Sequence, residues 1–241
     1  MRAKPVGIAG ATKIPSGKNI IHIPARERAG RKEKSMGCDI HVFTECKSTK
    51  RGREGTWENT DHWQLNYLYG TDDDEREYDV VPVYEDRNYE LFAYLADVRN
   101  NGDIVSFDFD RGLPSDVSDA TRNVYDAHKH YYHTPGWVTL RELKEAASKI
   151  KEINRQGFVR NDQYERFRRD GVTPTFWCQS VGDDYLEDYK FLQWTDECHC
   201  FDHLIEGIEK RKIEEFWLEY ADEEKRNSRD DDIRIVFWFD S

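Results

Sequence analysis

The sequence predicts a single compact α+β domain, in which helices pack on a small, mostly antiparallel sheet that contains a strand near each end of the chain. Apolar and polar residues alternate with period two over residues 37–47, as in a β-strand. Residues 233–239 are mostly β-branched or aromatic, which favours a second strand. Between these ends, several segments repeat apolar residues at three- and four-residue spacings, which is typical of amphipathic helices.

The composition changes at Met36, which is the only methionine besides Met1. Residues 1–35 contain nine Lys or Arg, two Asp or Glu and no aromatic residue. The whole chain has 36 basic and 48 acidic residues, so residues 36–241 hold 27 and 46, a net charge of −19. We therefore expect a disordered or spurious basic leader at 1–35 and a single domain at 36–241.

The first strand is predicted to place Cys38, Ile40 and Val42 on one face. The opposite, more polar face receives Asp39, His41, Phe43 and Glu45. After a glycine-containing turn, residues 56–58 are predicted to begin a returning strand. Residues 58–85 lack a clear pattern and are predicted to form an inserted loop.

Three helices are predicted downstream. The first begins near residue 89, with Asp86 or Asn88 as its N-cap, and ends at the Asn-Asn-Gly of 100–102. The second opens with a capping box at 139–142 and continues until Gly157. The last runs from about 201 to 224 and is predicted to bend or break, because its apolar stripe drifts around the axis.

The acidic composition excludes duplex nucleic acid as a partner, because a strongly negative domain repels phosphate backbones. No apolar run reaches the ~18 residues that a membrane span needs, so we expect no membrane partner. Five cysteines, an odd number, and no secretory signal favour reduced thiols in a cytoplasmic protein. A small anionic ligand in a local basic pocket, a metal ion or another protein remain as partners.

Several blocks resemble a family of uncharacterised phage and prophage proteins. They are Met-Gly-Cys-Asp-Ile-His at 36–41, segments within 86–100, Arg-Gly-Leu-Pro-Ser-Asp-Val-Ser at 111–118, the His-rich segment before Leu140, and Arg-Ile-Val-Phe-Trp-Phe-Asp at 234–240. The resemblance is discontinuous from Met36 to the end of the chain. It implies a start at Met36 and a phage or bacterial origin, with the host cytoplasm as location, but no activity and no site residue.

Asp and His residues form the first candidate site. Asp39 and His41 lie two apart on a strand and point to the same side, so an oxygen and a nitrogen can converge on a metal ion. Asp126 and His128 begin a His-rich stretch at 126–133. We predict Asp39, His41 and His128 as catalytic residues that, with Asp126, hold Zn or Mn. The alternative is a solvated strand face and a His/Tyr-rich surface loop.

Arginines supply candidate substrate contacts. Arg87 stands at a predicted helix start and Arg111 in a Gly-Pro loop, with Asp116 nearby in sequence. A guanidinium can bind a phosphate or carboxylate bidentately, so these three are predicted as substrate-binding residues of the same pocket. The alternative is internal salt bridging with the many carboxylates.

A second candidate zinc group is Cys198-His199-Cys200 with His203, although Cys-x-Cys is not the usual Cys-x-x-Cys knuckle. Cys178 is interpreted as a packed core thiol. Walker, Rossmann, Gly-x-Ser-x-Gly and kinase motifs are missing from the sequence.

Two functional hypotheses follow. One is a small metal-assisted hydrolase of phosphoesterase type, in a phage or prophage accessory protein. The other is a non-enzymatic phage protein that binds a host protein or a small nucleotide.

Overall fold

The structure is a computed structural model that describes residues 37–70, 77–100 and 104–240. The predicted leader at 1–35 lies outside the described residues. The described residues form one compact α+β domain, as predicted. The strands, in chain order, are β1 (Asp39–Lys47), β2 (Trp57–Asn59), β3 (His62–Leu65), β4 (Tyr78–Val81), β5 (Tyr132–Thr139), β6 (Glu152–Arg160), β7 (Tyr189–Glu197) and β8 (Ile233–Asp240). The α-helices are α1 (Tyr89–Ala96), α2 (Asp119–His128), α3 (Leu140–Lys149), α4 (Asn161–Asp170), α5 (Asp202–Glu215) and α6 (Glu223–Asn227).

The two predicted terminal strands pair with each other at the centre of the main sheet. This four-stranded antiparallel sheet has the order β2-β1-β8-β5. The β1–β8 register joins Asp39 to Asp240 at one end and Cys46 to Ile233 at the other. The predicted returning strand is confirmed as β2, which pairs antiparallel with β1.

Apolar side chains cover both faces of the main sheet. On one face, Ile40 and Val42 pack with residues of α1, α3 and α5 in the larger core. On the other face, Phe43 packs with Val236 and Trp238, beneath side chains of α2. The prediction of a polar outer face is therefore correct only at its start, since Phe43 and Glu45 are buried.

Local capping signals place the helix starts correctly. The Asn88 side chain accepts hydrogen bonds from the backbone N–H groups of Glu90 and Leu91, which makes it the N-cap of α1. The predicted capping box is confirmed between Thr139 and Glu142 at the start of α3.

Two helix ends differ from the prediction. The first helix ends at Ala96, where Asp97 adopts a left-handed conformation, several residues before the Asn-Asn-Gly segment. The second ends at Lys149, and Gly157 belongs to β6. Ile153 and Val159 are buried because β6 pairs with β7 and packs its apolar side chains there, which overrides the helical spacing.

The stretch at 58–85 is not simply a loop. Strands β3 and β4 form an antiparallel hairpin within it. The sequence hides this hairpin because β3 is exposed on both faces, so no apolar alternation marks it. The acidic segment at 71–76 lies outside the described residues.

Two predictions concern the later helices and the His-rich stretch. The predicted break in the last helix is confirmed, because α5 ends at Glu215 and α6 begins at Glu223. The His-rich stretch is not a loop throughout: Asp126 and His128 belong to the last turn of α2, and β5 begins at Tyr132. No helix in the described part of the chain combines the length and the apolar character needed to cross a bilayer.

Candidate functional site

A cavity of about 710 Å³ lies between the start of α1 and the β6–β7 hairpin. Two carboxylates, Asp86 and Glu90, and the apolar residues Ala93, Ile104 and Ile153 form part of its lining. The other side chains are of three kinds. Guanidinium groups come from Arg87, Arg99 and Arg155; aromatic rings come from Tyr89, Trp177 and Phe191; side-chain amides come from Asn88, Asn154, Gln156 and Gln179. The cavity therefore combines three cationic and two acidic side chains with flat apolar and amide groups.

Arg87 is positioned by the first strand. Its Nη2 donates to Oδ2 of Asp39 at 2.7 Å, and its Nε donates to the second oxygen of the same carboxylate. This hydrogen bond holds the pKa of Asp39 below its usual value. A Cβ at position 37 would lie 2.7 Å from Nη1 of Arg87, so Gly37 leaves the space in which this guanidinium lies. The predicted metal ligand Asp39 is thus the partner of the predicted anion-binding arginine.

Arg155 connects the two walls of the cavity. From β6, its Nη1 lies 2.9 Å from Oε1 of Glu90, which belongs to the first turn of α1. Its Nε lies 3.6 Å from Asp196 and makes no hydrogen bond. Burial raises the pKa of Glu90, and the charge of Arg155 opposes that rise. The ion pair therefore links α1 to the hairpin.

Arg99 follows α1 and adopts a left-handed backbone conformation with φ +52°. Its guanidinium interacts with the Cys38 thiol, yet burial still raises the pKa of that thiol. Burial lowers the pKa of His133, and the positive charge of Arg99 lowers it further. Arg99 thus places a positive charge where α1, β1 and β5 meet.

The aromatic wall depends on Gly157. A Cβ at this position would lie 2.7 Å from Cε3 of Trp177, so only glycine lets the indole approach the strand this closely. Trp177 packs edge-on against Trp194. On β7, Phe191 contacts Phe158 edge-on and remains half exposed. The hairpin thus offers ring surfaces to the cavity.

The structure does not gather the predicted metal ligands. His41 pairs with Asp240, Nε2 to Oδ2 at 3.0 Å, and Asp126 lies 3.6 Å from the amine of Lys129. The rings of His41 and His128 lie 5.0 and 6.5 Å from the ring of Tyr132. Among residues 37–70, 77–100 and 104–240, no group of three or more His, Cys, Asp or Glu is placed to hold a metal ion.

The other predicted substrate-binding residues, Arg111 and Asp116, line a second cavity of about 640 Å³. Arg111 pairs with Glu142 at 2.9 Å and lies 4.9 Å from the ring centre of Trp137. Asp116 accepts a hydrogen bond of 2.9 Å from Arg234. Arg111 and Asp116 therefore lie together, but both pair within the fold, and Arg87 lines the first cavity.

Arg234 is a residue that the sequence reasoning missed. It donates two hydrogen bonds to Oε2 of Glu45, at 3.0 and 2.8 Å, and its guanidinium carbon lies 4.0 Å from the ring centre of Trp57. The signal in the sequence is a single arginine within an otherwise apolar strand, which indicates a buried ion pair. Arg155 is missed because the spacing predicts helix up to Gly157, whereas β6 begins at Glu152. Trp177 and Phe191 are missed because no element is predicted between Gly157 and about residue 201.

The residues of the second candidate zinc group have separate partners. His199 pairs with Asp202 at 2.8 Å, and His203 pairs with Asp86 at 3.0 Å. The sulfurs of Cys198 and Cys200, however, lie 3.2 Å apart. Cys178 is half-buried, and its thiol lies 3.7 Å from the carbonyl of Phe158.

No protein-family model, curated protein or solved structure matches this chain. The candidate site therefore rests on the geometry of the cavity between α1 and the hairpin.

Proposed function

We propose that the protein binds a small anionic ligand that carries a flat ring, of the nucleotide class, in the cavity between α1 and the β6–β7 hairpin. The observation that carries the proposal is a cavity whose lining has three arginines against two carboxylates, Asp86 and Glu90, and also presents aromatic rings. A volume of about 710 Å³ falls within the range of roughly 300–1,000 Å³ that small-molecule sites occupy.

Each kind of side chain suits one part of such a ligand. A guanidinium binds phosphate oxygens through two parallel hydrogen bonds. Aromatic rings such as Trp177 and Phe191 supply stacking surfaces, on which a base is worth about 1–3 kcal/mol. The amide of Gln179 contains both donors and an acceptor, which a base edge requires. The oxygens of Asn154 and Gln156 accept hydrogen bonds from Thr195 and Gln193, which leaves their NH₂ groups as donors.

The carboxylates beside the arginines prepare the site. Asp39 orients Arg87, and Glu90 orients Arg155, before any ligand arrives. Side chains that are already ordered lose less conformational entropy on binding. Three arginines against Asp86 and Glu90 leave the cavity lining with a positive charge excess of one, whereas the whole chain carries a net charge of −12.

This proposal is the nucleotide-binding form of the phage accessory role that the sequence resemblance suggests. The metal-assisted hydrolase remains a hypothesis, for which the described residues provide no assembled ligand group.

Calorimetric titration tests the proposal. The full chain is titrated with the four ribonucleoside monophosphates, ribose 5-phosphate and inorganic phosphate. We expect at least one nucleotide to bind more tightly than the two fragments, because only the nucleotide engages both rings and guanidinium groups. Arg87→Ala should weaken binding roughly 10- to 100-fold, the equivalent of one charged hydrogen-bonding group.

Arg53→Ala is the matched control. Arg53 is also exposed and also pairs with a carboxylate, Glu58, at 3.0 Å, but it does not line the cavity. The Arg53→Ala variant should bind the nucleotide with the same affinity as the unmodified protein. Failure of every nucleotide to bind, or equal loss in both variants, would contradict the proposal.

A further inference from the structure

The pair Cys198 and Cys200 lies where the hairpin joins the core. Cys198 follows the last residue of β7, and its N–H donates to the carbonyl of Lys151, just before β6. Cys200 is buried in the larger core, two residues before α5 begins. The two sulfurs lie 3.2 Å apart. A disulfide bond of about 2.05 Å requires them to approach by only about 1 Å.

The two thiols differ in accessibility and in acidity. Cys198 is half-buried and Cys200 is buried. A hydrogen bond from Cys200 lowers the pKa of Cys198, and the nearby charge of Arg155 lowers it further. The same interaction raises the pKa of Cys200. Cys198 is therefore the thiol that ionises first and that a reagent reaches, with Cys200 directly behind it.

We propose that Cys198 and Cys200 form a reversible intramolecular disulfide by exchange with a low-molecular-weight disulfide of the glutathione type. The Cys198 thiolate attacks one sulfur of the reagent, the reagent's disulfide bond breaks, and one thiolate leaves. Cys200 then loses its proton and attacks Sγ of Cys198, which expels the second thiolate. Two protein thiols are oxidised to a disulfide, and one reagent disulfide is reduced to two thiols.

Metal binding fits this pair less well than disulfide exchange. The neighbouring imidazoles of His199 and His203 already pair with Asp202 and Asp86. Within the described ranges no third ligand stands with the two sulfurs in a metal-binding group.

The test exposes the full chain to glutathione disulfide, then blocks free thiols with iodoacetamide and maps the peptides by mass. We expect the peptide that contains Cys198 and Cys200 to be unalkylated and lighter by two hydrogens. In Cys200→Ser, glutathione should stay attached to Cys198, because the second attack cannot occur. Cys198→Ser should react with glutathione disulfide at no more than about one tenth of the rate of the unmodified protein. Cys178→Ser should react as the unmodified protein does.

The peptide map of the unmodified protein decides the matter even if a variant fails to fold. A stable glutathione adduct on Cys198 without a disulfide would overturn the proposal. So would alkylation of both thiols after the treatment, or one zinc ion held by them in the purified protein. Nucleotide binding does not enter this experiment, so its outcome is independent of the proposed ligand.

Discussion

At the level of single residues, the stability of the main sheet depends on the ion pair between Arg234 and Glu45. Both side chains are almost completely buried, at 2% and 0% exposure. Glu45 also accepts a hydrogen bond from the N–H of Ser118, and Asp116 accepts one from Arg234. A buried charge that loses its partner is strongly destabilising, because the remaining ion keeps its desolvation cost.

We therefore expect Arg234→Met to lower the free energy of unfolding by about 3–5 kcal/mol. The double variant Glu45→Gln/Arg234→Met should recover part of this loss, since the unpaired carboxylate is gone. The exposed control Arg53→Ala should change stability by less than about 1 kcal/mol. Urea denaturation at neutral pH measures all three, and equal effects of Arg234→Met and Arg53→Ala would exclude a structural ion pair.

His133 makes stability depend on pH. Burial lowers its pKa, Arg99 lowers it further, and Asp240 opposes them. The folded-state pKa thus lies below the unfolded value of about 6.5. As pH falls below that value the unfolded state takes up the proton first, so stability is lost on acidification. In His133→Asn, the decline in melting temperature from about pH 7 to 5 should be shallower. His130→Asn, at an exposed position, should follow the unmodified protein; a parallel decline in both variants would argue against His133.

The sequence predicts the local residue-level features more closely than the pairs that are distant along the chain. Thr139 is predicted as a cap, and Asn88 as one of two cap candidates with Asp86, because a cap bonds backbone groups two or three positions away. Arg87 and Asp39, 48 positions apart, are predicted to share a pocket but not to pair, and the pair of Arg234 with Glu45, 189 positions apart, is not predicted. Pairs at such separations exist only after the sheet forms, and one sequence offers many carboxylates for each arginine.

At the level of elements, β8 holds the main sheet together because it pairs with both β1 and β5. Trp238, which is completely buried, stacks on Phe43 at 4.7 Å between ring centres. Trp238→Ala should lower the free energy of unfolding by about 3–5 kcal/mol. The control Trp217→Ala removes an indole that is 90% exposed and should change it by less than about 0.5 kcal/mol. Chemical denaturation compares the two, and a small effect at Trp238 would show that the strand tolerates a void.

Strand β6 shows why the boundary of an element can be misread. Its glycine suggests a helix stop in the sequence, but in the fold Gly157 admits the ring of Trp177. Gly157→Ala should displace that ring and cost about 1–3 kcal/mol, the range for an overpacked site. Gly182→Ala is the control, because its nearest neighbour would lie 3.8 Å from the new Cβ. Thermal unfolding of both variants measures the difference. An unchanged melting temperature for Gly157→Ala would mean that the fold does not need the close contact between Trp177 and position 157.

For the whole molecule, the sequence predicts the α+β class and the central terminal strands because both strands carry their pattern within a few residues. The cavity is different, since α1 supplies one wall and β6 and β7 supply the other. These segments are separated by more than fifty residues of chain. Their meeting depends on how the hairpin packs against the core, which no local pattern encodes.

A ligand held by both walls should stabilise the folded molecule as a unit. For one site, a ligand at roughly 100 times its Kd adds about 2.7 kcal/mol to the free energy of unfolding. The melting temperature should therefore rise with the concentration of the bound nucleotide. Phe191→Ala should reduce the rise, because the cavity loses a ring that is 51% exposed. Phe176→Ala, which removes a ring of 56% exposure outside the cavity, should keep it. An equal rise in melting temperature in both variants would place the ligand away from the hairpin, because Phe191 lines the cavity and Phe176 does not.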